Sequence, residues 1–501
     1  MNRTTLSLFA GTAALAAVTA FAAVDSPSAS GAASEAAARQ PVQRTGLVCP
    51  APSTSDLAET TYTSFTPVTK GAASGGRARL QAAGEQSSDD GSGADGKEKK
   101  GGGAKDGQPV LTPKAPGTPA TGDTSGGDTP ALVGTADGSF APGWTVQETT
   151  EVSAGTGRGL LGVTCTGADT DFWFPGASTA AGRTDYVHLT NPDDSAAVVD
   201  IELYGKDGAV KAPLGENLTV DPGASEAFLL PTLTEERQAD LTVHVSVRGG
   251  RVGAAVQALD DKAGGDWLAP AADPAGGLVL PGIPKDATDV RLTVFAPGDD
   301  DADLKIRLAS PDGLITPAGN ETVHVKSGMT TTVDLGDVTR GEPGSLVLTP
   351  TDQAAPVVAA LQVVRGKGDK RETAFIPATA PVGTRATSAG NSAKGTTLAL
   401  TAPEGTATVK VTASAGSEGG TPATKTYTLK SGTTQDVDAP VPTGLKGTYA
   451  LTVEPVSGGP VYASRTLTTA DTPAFTVQTL PSDHGLVSVP RTGEDLSILQ
   501  K

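Results

Sequence analysis

Three turns built on one plan constrain this chain more than any other feature. Val220-Asp221-Pro222-Gly223-Ala224-Ser225 is echoed by Val325-Lys326-Ser327-Gly328-Met329-Thr330 and by Leu429-Lys430-Ser431-Gly432-Thr433-Thr434. Each has an apolar residue, a turn and a central glycine. Gly223 precedes Val252 by 29 residues, Gly328 precedes Val357 by 29, and Gly432 precedes Val461 by 29. Each valine opens a related apolar run: VGAAVQAL, VVAALQVV and VYASRTL. The glycines recur at intervals of 105 and 104 residues, a period that suits one β-sandwich per copy. Glycine is expected at the centre of such a reversal because it takes positive φ without steric cost.

The text between the turns is strand. Val199, Ile201 and Leu203 alternate with Asp200, Glu202 and Tyr204, and Leu241, Val243, Val245 and Val247 alternate with Thr242, His244 and Ser246. A period of two marks strands with one face buried. Asn191-Pro192 and Ala296-Pro297 punctuate corresponding places in two copies, where proline cannot donate to a ladder. Only 232–238 carries a helical signal. The expected fold class is all-β: tandem immunoglobulin-like β-sandwich modules with a disordered insertion. Full modules are expected at 172–265, 278–366 and 374–470, and a C-terminal hairpin at 471–501. The short joins between them predict a semi-rigid rod.

The first part of the chain reads differently. Residues 1–24 have a charged start, an apolar run and a small-residue A-x-A pattern, which fits a secretory signal peptide; an uncleaved N-terminal membrane anchor is the alternative. Residues 25–40 read as a spacer. Residues 41–165 read as a partial β module interrupted by a disordered insertion at 71–130. That insertion has no aromatic residue and few large aliphatics, so little apolar surface is available to offset chain entropy. The chain has two cysteines, Cys49 and Cys165, which would pair in an oxidising compartment.

No catalytic constellation stands out. A net charge of −18 repels phosphate and anionic lipid, so nucleic acid is not an expected partner. The four histidines, His188, His244, His324 and His484, form no metal-binding motif and read as solvated or structural. Asp299, Asp300, Asp301 and Asp303 form a weak candidate Ca²⁺ loop, although their spacing matches no established pattern and a solvated acidic turn is the plainer reading. Asp193 and Asp194 read the same way. Trp144, Trp173 and Trp267 could stack on sugars, but Trp173 and Trp267 stand at module openings and packing at the junctions is the plainer reading. No cofactor is expected.

The strand entries FWFPG, LVLPGIP and AFIPA, with LLPTL, DWLAPA and LVCPAPSTSDLAETTYTSFTP, resemble an uncharacterised family of secreted actinobacterial proteins classed as a domain of unknown function. The resemblance implies export and a place in or around the cell envelope; it brings no activity and no site residues. The expected function is an extracytoplasmic, non-enzymatic scaffold or binding protein of the envelope, supporting surface polysaccharide or wall assembly, with an envelope polymer or envelope protein as partner. The alternatives are an envelope polysaccharide hydrolase using loop carboxylates and a Ca²⁺-stiffened adhesive rod.

Overall fold

Alternating strands form pairs of antiparallel sheets, and the chain builds such a pair four times. A computed structural model describes residues 38–84, 108–469 and 474–489. The first module contains β2 (Arg44–Cys49), β3 (Ala58–Phe65), β4 (Ala78–Ala82), β5 (Ala120–Ser125), β6 (Leu132–Asp137), β7 (Thr145–Val152) and β8 (Gly159–Thr164). Its sheets have the orders β2-β6-β4 and β5-β3-β7-β8. A separate pairing joins β1 (Ala38–Pro41) to β37 (Leu486–Val489).

The second module contains β9 (Asp171–Ala177), β10 (Arg183–Thr190), β11 (Ala197–Gly205), β12 (Gly208–Val210), β13 (Leu218–Val220), β14 (Ser225–Leu229), β15 (Leu241–Gly249), β16 (Gly253–Asp260) and β17 (Gly264–Leu268). Its sheets are β12-β11-β15-β9, with β13 also on β11, and β14-β10-β16-β17. The third contains β18 (Leu278–Ile283), β19 (Ala287–Phe295), β20 (Ala302–Ala309), β21 (Leu314–Ile315), β22 (Thr322–Val325), β23 (Thr330–Gly336), β24 (Gly344–Pro350), β25 (Val358–Arg365) and β26 (Glu372–Pro377). Here the sheets are β18-β24-β20-β21, with β22 also on β20, and β23-β19-β25-β26.

The fourth module contains β27 (Ala386–Asn391), β28 (Thr396–Ala402), β29 (Ala407–Ala413), β30 (Gly419–Thr421), β31 (Ala423–Leu429), β32 (Thr433–Val437), β33 (Thr443–Lys446), β34 (Tyr449–Gly458), β35 (Tyr462–Thr468) and β36 (Phe475–Thr479). Its sheets are β27-β34-β29-β31 and β32-β28-β35-β36, and β30 pairs with β33. The all-β sandwich class expected from the alternation is therefore the one observed, and the buried phase of the alternation supplies a separate aliphatic core to each module. The repeated glycines take the backbone they were expected to take, with φ of +67° at Gly223, +67° at Gly328 and +74° at Gly432.

The modules do not form a rod. The last strand of each, β8, β17, β26 and β36, packs in a closed circuit: β8 on β17, β17 on β26, β26 on β36, and β36 back on β8. The first strands repeat the pattern, β9 lying on β25, β18 on β35, and β27 on β3 and β7 of the first module. Short joins predict restricted freedom but not direction. Apolar residues left on the outer faces of the last strands set the direction, because each face is covered by another module.

The structure also corrects three boundaries. Two strands, β4 and β5, lie inside the stretch 71–130 that was expected to be disordered. Leu80 of β4 bridges Leu111, and both side chains are buried in the core of the first module. Few aliphatics suffice because these few are placed at core positions, which a composition averaged over the whole stretch conceals. With the Leu111 bridge standing where later copies have a fourth strand, 41–165 is a complete module rather than a partial one. AFIPA at 374–378 belongs to β26 and closes the third module instead of opening the fourth. Likewise FTVQT is β36, the last strand of the fourth module, and LVSV is β37, paired with β1, so among the described residues these two strands form no hairpin with each other. First and last strands share an apolar run ending near proline, and that text does not distinguish them. The export segment 1–24, spacer residues 25–37 and insertion residues 85–107 lie outside the described residues.

Candidate functional site

The four last strands meet around one carboxylate. Asp266 of β17 is fully buried. Its Oδ1 accepts the N–H of Gly162 in β8 at 2.9 Å and of Trp267 at 2.8 Å, and the Thr476 hydroxyl of β36 lies 3.1 and 3.0 Å from its two oxygens. The Phe375 N–H of β26 also bonds it. Each module thus contributes to this hub. Burial pushes the Asp266 carboxyl well above the usual range, and these donors pull the other way. Sequence reading missed this residue; its signal was an acid inside the apolar run Asp266-Trp267-Leu268.

Around the hub, side chains of the last strands fill the ends of neighbouring modules. Trp267 packs among Ala58, Leu161 and Val163 of the first module. Phe375 enters the core of the second, and Phe475 and Val477 enter that of the third. Trp173 packs on Phe295 of the third module with ring centroids 5.4 Å apart, and His244 stacks on its other side at 3.8 Å. Trp144 is interior, its Nε1–H donating to Ser64 Oγ at 2.7 Å. None of the three tryptophans presents an open face.

The candidate Ca²⁺ loop is already engaged internally. Asp303 Oδ1 lies 2.8 Å from His324 Nδ1, Asp301 Oδ2 lies 3.5 Å from His324 Nε2, and Asp301 Oδ1 accepts the Ser327 N–H at 2.8 Å. No grouping of three or more His, Cys, Asp or Glu suited to a metal occurs among the described residues, and Asp299 and Asp300 join no such set. Asp193 is held by a bidentate contact with Arg251 at 2.8 Å, which lowers its pKa. His188 is buried beside Trp267, and burial pushes its imidazole down to about 4. His244 lies between Glu202 and Asp171, 2.7 Å from each.

Cys49 and Cys165 form a disulfide with a Cα–Cα distance of 4.5 Å. It joins the end of β2 to the residue after β8, inside the core of the first module.

Glu148 and Arg465 are buried as well. Glu148 of β7 is fully enclosed, no described group bonds either oxygen, and burial pushes its pKa well up. Arg465 of β35 donates from Nε to Gln478 Oε1 at 2.7 Å and from Nη1 to the Ala389 carbonyl and Asn391 Oδ1. Burial lowers its pKa to about 9.

Two clefts lie away from the hub. One of about 350 Å³ lies at the end of the third module, between the segments around Ile315 and Arg340. Another of about 350 Å³ lies between Arg44 of the first module and Arg251 of the second.

Residues 120–440, more than half of the chain, match a family of unknown function, DUF5719. The chain belongs to this family. The DUF5719 match starts at β5 and ends just beyond β32, so it contains the hub residue Asp266 and the cleft of the third module. No curated protein matches the chain.

Proposed function

We propose that this DUF5719 member is an extracytoplasmic, non-enzymatic scaffold or binding protein of the cell envelope, supporting surface polysaccharide or wall assembly. The observation that carries the reading is the interlocked hub: four sandwiches share one buried centre at Asp266 and exchange core side chains. Such a body holds the loops at the module ends in fixed relation, which suits recognition across an extended surface. The hub carboxylate Asp266 is taken up by internal hydrogen bonds, and the most acidic loop by His324 and Ser327. The disulfide is compatible with an oxidising compartment, and the opening sequence reads as an export signal. Among the described residues no helix is long and apolar enough to cross a membrane.

The test is a pull-down with the intact protein against fractionated envelope polymers and envelope proteins. Recovery of one component, saturable and competed by the same component in free form, is expected. If nothing specific is retained, the reading fails.

A further inference from the structure

The cleft at the end of the third module has the features of a ligand site. Its floor is aliphatic, formed by Leu308, Leu335 and Val338, and Ile315 stands at its edge half exposed to solvent beside exposed Leu314. Its volume of about 350 Å³ falls within the range of small-ligand pockets. Leu314 lies against the Gly432 turn of the fourth module, which leaves Ile315 as the aliphatic that opens onto the cleft.

The polar side of the cleft is unsatisfied. Thr339 is buried and its hydroxyl has no hydrogen-bond partner among the described residues. The Arg340 and Glu342 side chains both line the cleft and are exposed, and neither makes an ion pair among the described residues. Asp337 is turned to its own loop, its Oδ1 accepting the Arg340 N–H at 3.1 Å. Asn320 donates to the Asp334 carbonyl at 3.3 Å, which leaves its amide oxygen free to accept.

The backbone adds an independent signal. Among the described residues only Asn217 and Arg340 take positive φ without being glycine, at +54° and +49°. Asparagine tolerates that region; a long side chain does so at a cost and persists where something else is gained. At Arg340 the strained residue is also the cation among the residues that line the cleft.

We propose that this cleft binds the C-terminal end of a partner polypeptide whose last side chain is aliphatic. The side chain would fill the Leu308, Leu335 and Val338 floor, the terminal carboxylate would meet the fork of the Arg340 guanidinium, and the Asn320 amide oxygen would accept a backbone N–H. None of the lining residues is aromatic, so the cleft lacks the stacking face that a sugar ring would use. The inference rests on the binding reading above and selects a protein partner within it.

Titration calorimetry on the intact protein tests it, with N-acetyl-leucyl-leucine and its C-terminal amide as probes. The free acid is expected to bind, and the amide to bind at least tenfold more weakly. Arg340→Gly removes the guanidinium while relieving the strain, so acid affinity should fall at least tenfold with a melting temperature no lower than that of the parent. Val338→Trp should block the floor and abolish both. Equal binding of acid and amide, unchanged affinity in Arg340→Gly, or no peptide binding overturns the proposal, as does preferential binding of an oligosaccharide. Repeating the envelope pull-down with Arg340→Gly separates the two readings. Equal capture by parent and variant would remove the cleft and leave the scaffold standing.

Discussion

The junction between the second and third modules and the one that closes the circuit between the fourth and the first do the same job with different chemistry. Gln257 in β16 pairs in register with Trp267, Gln362 in β25 with Phe375, and Gln147 in β7 with Thr164. Two last strands therefore offer an aromatic at this position and β8 offers a threonine. Two residues earlier, β8 has Gly162, where an added Cβ would lie 2.6 Å from the Thr476 side chain. The last strand of its neighbour, β8, brings no aromatic to the end of the fourth module. That end is filled by its own Arg465 and Gln478, and Gln147 reaches across to accept the Ala389 N–H at 2.6 Å. Smaller apolar contacts accompany this: Leu160 on Leu467 and Ala474, and Phe65 on Ala389 and Ala450. The disulfide adds a covalent hold on the same strand, because Cys165 directly follows Thr164. Where the aromatic plug is missing, hydrogen bonds take over across the junction, and the disulfide anchors β8 within its own module.

Removing an aromatic plug should have the largest effect. Phe375→Ala takes a buried ring out of the core of the second module and should destabilise by ~3–5 kcal/mol. Urea denaturation measures it; a loss below ~1 kcal/mol would mean that this junction is not held by the ring.

Next comes the covalent hold. The disulfide spans 116 residues of sequence, and the chain-entropy model gives up to ~4.7 kcal/mol for a loop of that order. Cys49→Ser with Cys165→Ser should lower the urea midpoint by the equivalent of about 2–4 kcal/mol, with the first module exchanging its amides before the others. Uniform exchange across all four modules would break the contrast between the junctions.

Acidity should act at the aromatic junction. Burial raises Asp185 to about 6 even though Arg183, whose guanidinium lies over the Phe375 ring at 5.8 Å, pulls it down. Asp436 is also raised to about 6 by burial. A carboxyl raised on folding contributes stability that is full below its unfolded value near 4 and is lost as pH rises through about 6. His188, lowered to about 4, has the opposite slope over the interval from about 4 to about 6.5. The raised acids, with Asp266 and Glu148, outnumber it, so stability should fall between pH 4 and pH 7. Asp185→Asn should flatten that fall by up to ~3 kcal/mol, seen in melting temperatures across the range. A steeper fall in the variant would reverse the assignment.

At the closing junction, Arg465→Met withdraws donors from the Ala389 carbonyl and from Gln478 and should cost about 1–3 kcal/mol. It should remain smaller than the cost of Phe375→Ala. The repeated turns give the finest comparison. Gly223→Ala and Gly328→Ala carry the same φ penalty of about 1–2 kcal/mol. Only at Gly223 would the new Cβ meet backbone, 2.7 Å from Gly84 Cα, whereas at Gly328 nothing lies within 4 Å. Gly223→Ala should therefore be the more damaging by thermal melting, and equal shifts would show that the turn does not press on the first module.

The sequence by itself determined the all-β class, the existence of copies and the left-handed glycines. It could do so because alternation and turn chemistry are local: Val199, Ile201 and Leu203 report their own buried face, and Gly223 reports its own φ. The disulfide was legible because only two cysteines were available. What the sequence left open was which way each apolar face was covered. Trp267 read as packing at a module junction, as it does, but nothing in the text named the module that it enters, and Phe375 and Phe475 fill neighbouring modules with no signal beyond the apolar runs that hold them. The strand at Leu80 and the bridge at Leu111 were lost in a polar stretch whose average composition hides its few core positions. Asp266 and Arg340 were legible only as an acid in an apolar run and a charge in a loop. Their significance came from a shared centre and an unpaired cleft, which exist only once distant segments have packed together.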